Sequence, residues 1–291
     1  MAYRFIEQNK NEFGVRWLLR RLNIYPNAYY NYLKGRKNNY YKQKKNVKNE
    51  IEKIYHAHGG VDGYREVHAY LTRQGHKISR PTVHRYMNKE LGLFSVSRRR
   101  KPNYEYGAPH KVFENKLNQD FSASEINRKW CTDFTYLYLT DGSVRYNCTI
   151  IDLYDRSVIA SITDKHITAD LAKRTLQRAV DSQPGINTAK LLLHSDQGSQ
   201  YTSKEFTSYC ESLGITQSMS RAGYPYDNAP MERYFNTLKN DLIYNYYYHS
   251  DCGELYPAVE QFAYVYYNHV RPHSYNNYKT PFEARCTSVQ H

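Results

Sequence analysis

The sequence predicts an α/β fold, a mixed five-stranded sheet with helices, preceded by an all-α region. Three observations lead there: the charge is uneven along the chain, the hydrophobic period changes near residue 129, and strands and helices then alternate in a fixed order. With 291 residues and 40% hydrophobic content, the chain can bury one large or two ordinary cores. No apolar run reaches the roughly 18 residues of a membrane span, and no charged-then-apolar leader opens the sequence, so a cytoplasmic protein is expected. Cys131, Cys148, Cys210, Cys252 and Cys286 never form a CxxC pair and read as reduced, mostly buried thiols.

The first 111 residues carry a net charge of +16 and the remainder −3. "KGRKNNYYKQKKNVK" (34–48) and "SRRRK" (97–101, with Arg98, Arg99 and Arg100) suit phosphate neutralisation with counterion release; the alternative is a solvated charged face. Two segments have helix-turn-helix character, 1–46 and 47–101, followed by a linker over 102–116 and a catalytic region over 117–291. In the first, Val15, Leu18, Leu19 and Leu22 keep helical spacing and "NIYPN" turns into a short helix over 28–33. In the second, helices over 47–57 and 63–73 precede Gly75 as a stop. Ser79 then caps a helix that turns Val83 and Met87 inward and presents Arg80, His84 and Arg85 as a recognition face.

Beyond the linker, "KWCTDFTYLYLT", "VRYNCTIIDLYD" and "RSVIASIT" read as a three-strand meander. A helix from Thr168 to about Ser182 follows, then the strand "KLLLH", a helix opened by Thr202 with Glu205 as a capping box, the strand "ITQSMS", and a long helix from near Asn228. This is the ribonuclease-H-like order. It brings together Asp133 of the first strand, Asp196 at the end of the fourth and Glu232 in the first turns of the last helix. Three carboxylates suit hard divalent cations. Asp152 remains a rival for the same site, while Asp155 and Asp241 read as surface acids.

"WCTDFTY" (130–136), "DLYDRSVIA" (152–160), "HSDQGSQYTS" (194–203), "SMSRAGYPYDNAPMERYFNTLKND" (218–241) and "YNHVRPHSYNNYKTPFEA" (267–284) occur in this order. In them the chain resembles the DDE insertion-sequence transposases whose elements encode two overlapping frames, and in particular the downstream-frame product with its integrase-like core. "GYREVHAYL" and "ISRPTVHRYM" are similar to the family's helix-turn-helix segment. The resemblance implies that Asp133, Asp196 and Glu232 hold two Mg²⁺ ions, with Mn²⁺ able to substitute, and that Lys239 contacts the DNA end. It implies cleavage at the element's terminal inverted repeats and transfer of the freed 3′-hydroxyl into target DNA. It also implies a homo-oligomer on DNA and an upstream-frame helix-turn-helix partner, joined to this chain by frameshifting. Two other readings remain at this point, a DNA-binding regulator with a degenerate core and a structure-specific nuclease.

The supporting residues have double readings. His194 either orients Asp196 or ends its strand, and Asn268, Arg271 and His273 either brace the last helix or touch phosphate. Gly198 and Gly223 are expected to serve turns, and Asp227 and Asn228 to cap the helix bearing Glu232.

Overall fold

A computed structural model describes residues 2–96, 111–245, 248 and 253–288. Its N-terminal part is helical: α1 Ala2–Phe13, α2 Val15–Arg21, α3 Pro26–Leu33, α4 Arg36–Ala57, α5 Tyr64–Arg73 and α6 Arg80–His84, which continues with π-helical winding over Arg85–Glu90. Two apolar clusters hold these helices. Ile6, Leu18, Leu19 and Tyr29 bury one another among α1–α3, and Ile51, Ile54, Val67, Leu71, Val83 and Met87 do so among α4–α6. The helix expected over 47–57 begins at Arg36 instead. "RKNNYYKQKK" contains neither Gly nor Pro to stop it, and Gly35, at φ +61°, supplies the left-handed residue that separates it from α3. Ser79 precedes α6 as expected, but its hydroxyl meets Thr82 Oγ1 at 2.9 Å rather than a backbone N–H.

The remaining elements are β1 Lys129–Tyr138, β2 Val144–Asp152, β3 Val158–Asp164, α7 Ala169–Asp181, β4 Leu192–Ser195, α8 Ser199–Thr202, α9 Lys204–Ser212, β5 Thr216–Met219 and α10 Ala229–Leu238. α10 continues as a π-helical stretch over Lys239–Ile243. Then come α11 Leu255–Glu260, extended over Gln261–Val270, and α12 Pro281–Ser288. The sheet runs β3-β2-β1-β4-β5. The meander β1–β3 is antiparallel, and β4 and β5 lie parallel to each other and to β1. This is the mixed five-stranded α/β architecture expected.

Side-chain alternation divides the core into two layers. Trp130, Ile150 and Leu193 pack with Leu176 of α7 and Phe206 of α9, whereas Cys131, Leu137 and Ile151 pack with Met231 and Leu238 of α10 and Val259 of α11. Thr168 caps α7, its hydroxyl accepting from Leu171 N at 3.1 Å. The cap of α9 is Ser203, accepting from Phe206 N at 3.2 Å; Thr202 is buried one residue earlier, its hydroxyl donating to the Gly198 carbonyl at 3.2 Å. Of the stretch expected as a linker, residues 111–116 are described and lie against the sheet, where Met219 N donates to the Glu114 carbonyl.

The spare acids have structural employment. Asp152 accepts from Asn127 N at 2.7 Å and Tyr154 N at 2.9 Å. Arg285 of α12 reaches it at 3.2 Å and reaches Asp155 at 2.6 Å, where Ser157 N also donates at 2.8 Å. Asp155 is fully buried, and Asp241 is nearly buried with Arg271 at 3.4 Å, so neither is a surface acid. Trp130 pairs with Asp152 and Asp133 with Thr149, which turns Asp152 to the opposite sheet face from Asp133.

Removing Arg285 leaves two buried carboxylates without their cation. Arg285→Met is expected to lower unfolding free energy in urea by about 3 kcal/mol, while Arg178→Ala, which breaks an exposed pair with Glu260, is expected to lose less than about 1 kcal/mol. Equal losses would contradict the bracing role given to α12.

Candidate active site

Register places the first two acids side by side. Cys131 of β1 pairs in parallel with His194 of β4. Asp133 lies two residues further along β1 and Asp196 one residue past the end of β4, so the two come to the same end of adjacent strands, whose axes run about 4.8 Å apart. Alternation turns both toward α10, the layer that also receives Cys131 and Leu192. Burial and the Asp196 charge push the Asp133 carboxyl well above the usual carboxylate range; the Phe134 N–H, 2.7 Å from Oδ1, and the Lys239 ammonium act the other way. Burial also raises Asp196, opposed by the Gly198 N–H at 2.9 Å.

That last bond explains Gly198. Its φ of −56° is open to any residue, but a Cβ there would lie 2.9 Å from Asp196 Oδ1. A side chain there would have to push the Asp196 carboxylate and the Gln200 amide aside, so the role of this glycine is close approach rather than a left-handed turn. Gly223, at φ +80°, does fit the turn expected of it.

Glu232 lies exposed in the first turn of α10, and its charge adds to the rise at Asp133. Lys239 follows two helical turns later, half-buried. Burial pulls its ammonium down while Asp133 holds it up. The sheet thus assembles the aspartate pair, and α10 brings an acid and a base to it. Among the described residues the three acids do not close into a cluster tight enough to hold an ion unaided.

Asn228 holds the N-cap position of α10 as expected but its side chain makes no cap bond, and Asp227 does not cap the helix either. Asp227 instead accepts from Arg221 Nε at 3.0 Å, Asn115 at 2.9 Å and Gln119 at 2.7 Å, and the Arg221 guanidinium holds its carboxyl far below the usual range. Asn228 donates to the Thr132 carbonyl at 3.2 Å, which fastens the start of α10 to β1 beside Asp133. His194 is buried between the hydroxyls of Ser218 at 2.9 Å and Ser220 at 3.1 Å. Burial pushes its imidazole down to about 4, and its ring bonds run to β5 rather than to Asp196. Asn268 pairs with both backbone groups of Val158 at 2.8 and 2.9 Å, Arg271 holds Asp241, and the His273 ring accepts from Tyr275 N at 3.2 Å. These three brace the fold. Arg285 went unnoticed in the sequence because nothing near it in the chain marks its distant acid partners.

On α6, Arg80 lies over the Tyr278 ring at 4.6 Å, His84 meets the Tyr64 ring edge-on at 4.9 Å, and Arg85 stands 3.8 Å from Glu90. Arg98, Arg99 and Arg100 lie outside the described residues.

The profile of the Integrase core domain matches residues 123–225, and a second profile of that description matches 213–281; that of the HTH-like domain matches 42–101. The chain is therefore an integrase-core protein with a helix-turn-helix-like region ahead of the core. It is 31% identical over 236 residues to the transposase for insertion sequence element IS904 of Lactococcus lactis, covering 80% of this chain and 90% of the relative. To the putative transposase InsK for insertion sequence element IS150 of Escherichia coli it is 33% identical over 240 residues, covering 82% of each. The chain belongs to the insertion-sequence transposases and is a DNA transposase. The crystal structure of the BIV integrase catalytic core domain aligns with a TM-score of 0.43 and 22% identity, over 56% of this chain and 97% of that one.

Two outcomes follow from this geometry. Gly198→Ala is expected to displace the Asp196 carboxylate and slow strand cleavage by up to about 10² with the melting temperature nearly unchanged; a wild-type rate would show that the close approach is dispensable. His273 is held neutral, burial followed by Arg271, Arg156 and Arg233 pushing it down to about 3. The unfolded chain therefore takes up a proton near pH 6.5 that the folded one refuses. Its contribution to stability is complete above that pH and falls by at most about 1.4 kcal/mol per unit on acidification toward pH 3. Urea unfolding of His273→Asn should show a correspondingly shallower acid slope.

Proposed function

We propose that Asp133, Asp196 and Glu232 bind two Mg²⁺ ions, with Mn²⁺ able to replace them, and that the chain cuts at the ends of its element and joins the freed 3′-hydroxyl to target DNA. The observation that supports this is the Asp133–Asp196 juxtaposition, with Asp133 forced upward by burial and by the Asp196 charge, Asp196 forced upward by burial, and Lys239 the cation acting on Asp133. Oxygen donors crowded in this way fit a hard divalent cation. When bound, the ions activate the attacking oxygen and stabilise the leaving one. The residues of the chain prepare for them. Asp133 and Asp196 give up any proton they carry, so affinity should rise with pH through the elevated carboxyl range. Backbone N–H groups of Phe134 and Gly198 fix the orientation of the two carboxylates. Glu232, on the first turn of α10, moves inward to complete the set, and Lys239 on the same helix face meets a phosphate of the DNA end. The same reading includes the terminal inverted repeats as substrate, an upstream-frame helix-turn-helix protein as partner or frameshift fusion, and a homo-oligomer on the DNA.

Asp133→Asn, Asp196→Asn and Glu232→Gln are each expected to lower strand cleavage in Mg²⁺ by at least about 10²–10³ while the chain stays folded and still binds DNA. Thermal unfolding gives a second readout. Without metal, Asp133→Asn relieves the repulsion and should melt higher than wild type; adding Mg²⁺ should raise the wild-type melting temperature and leave the variant's unmoved. Near wild-type cleavage by Asp133→Asn or Glu232→Gln would refute the ligand assignment.

A further inference from the structure

The carboxamide of Asn228 enters the seam between the two strands that carry the aspartates. Along β1 the carbonyls of alternate residues face β4, and Arg128, just ahead of the strand, sets the phase by accepting from Leu192 N at 2.9 Å. Trp130 and Thr132 face the same way. The paired register ends at Cys131 and His194, so the next rung would join the Thr132 carbonyl to the Asp196 N–H. Asn228 Nδ2 donates to that carbonyl instead, at 3.2 Å. The side chain therefore stands where β1 and the chain leaving β4 part, against the peptide that links Thr132 to Asp133.

The other end of the amide is unused. Asn228 is 7% exposed, and its Oδ1 has no hydrogen-bond partner. The Thr132 carbonyl fixes which end that is, because an oxygen in the place of Nδ2 would face a second acceptor. An asparagine at the start of a helix ordinarily accepts with this oxygen from the N–H of the second or third helical residue. In α10 the second is Pro230, which has no N–H, and no cap bond forms. A buried acceptor without a donor costs free energy, and the fold retains this one beside two carboxyls that burial already pushes upward. Glu232 follows four residues later, on the same face of the helix.

We propose that Asn228 is a positioning residue of the metal site: Nδ2 fastens α10 into the β1–β4 seam, and Oδ1 accepts a hydrogen bond from the hydration shell of a Mg²⁺ ion bound at Asp133 and Asp196. This rests on the metal reading of those two acids. Mg²⁺ dehydrates reluctantly and usually keeps several waters, and groups that hold such an outer layer tune the affinity of the ion. Position 228 then requires one donor and one acceptor on a short side chain. A helix cap requires only the acceptor.

Thermal unfolding of the full chain in EDTA and across a Mg²⁺ titration tests this, since an ion that binds only the folded chain raises its melting temperature according to its dissociation constant. Asn228→Leu has nearly the size of asparagine with neither donor nor acceptor, and Asn228→Ala supplies a second apolar replacement should the branched side chain prevent folding. Each is expected to raise the Mg²⁺ dissociation constant by at least about 10-fold. Asn228→Asp loses the donor and keeps an acceptor oxygen, so it should melt below wild type in EDTA and yet bind Mg²⁺ at least as tightly. An unchanged dissociation constant in the apolar variants would overturn the proposal. A weakened one in Asn228→Asp would do the same, because the tie to Thr132 rather than the free oxygen would then be what the ion depends on. Absence of any Mg²⁺-dependent rise in the wild-type melting temperature would instead reject the metal reading beneath it.

Discussion

Two carboxylates on neighbouring parallel strands cannot move apart, because the hydrogen-bond ladder that sets their separation belongs to the whole sheet. Asp133 and Asp196 lie two residues beyond the last pair of that ladder, Cys131 and His194, and at close spacing like charges in a partly dry environment repel by several kcal/mol at an effective dielectric of about 20. Much of the surrounding structure serves to prevent escape. Trp130 and Leu193 anchor the two strands from the opposite face, and His194 ties β4 to β5 through two serine hydroxyls. Asn228 ties α10 to β1 one residue from Asp133, and the absence of a side chain at position 198 leaves a backbone N–H as the close neighbour of Asp196.

The other buried acids differ from Asp133 and Asp196 in their counter-charges. Asp152 and Asp155 share the Arg285 guanidinium, and Asp241 has Arg271. In each case the protein supplies the cation at hydrogen-bond distance, so the charge is balanced permanently. At Asp133 the available cation, Lys239, acts by field rather than by a hydrogen bond that orients the carboxylate. The balance at Asp133 is thus incomplete, which suits the divalent cation proposed there. Buried acids are thus sorted by whether the fold provides their counter-charge, and their position in sequence carries little of that information.

This is also why the sequence was legible only in part. Strands, the helix α7 and the clusters under α5 and α6 follow from periodicity and local capping, and the placing of Asp133 and Asp196 at the same end of adjacent strands follows from element order. The failures concern partners distant in the chain. Asp227 and Asn228 precede a helix as caps would, yet their side chains go to Arg221, Asn115, Gln119 and Thr132. Asp155 and Asp241 sit among polar neighbours as surface acids do, and become buried through arginines 130 and 30 residues away. The start of α4 was missed for a local reason, since a run of lysines and asparagines carries no hydrophobic period even when helical.

The contribution of α12 has a temporal side. A ribosome releases the chain from its amino end, so β1–β3 and α10 emerge well before Arg285. Until that residue arrives, the sheet contains two acids whose counter-charge has not yet been made. A chain interrupted between α10 and α12 contains Asp133, Asp196 and Glu232 but lacks the arginine that balances Asp152 and Asp155.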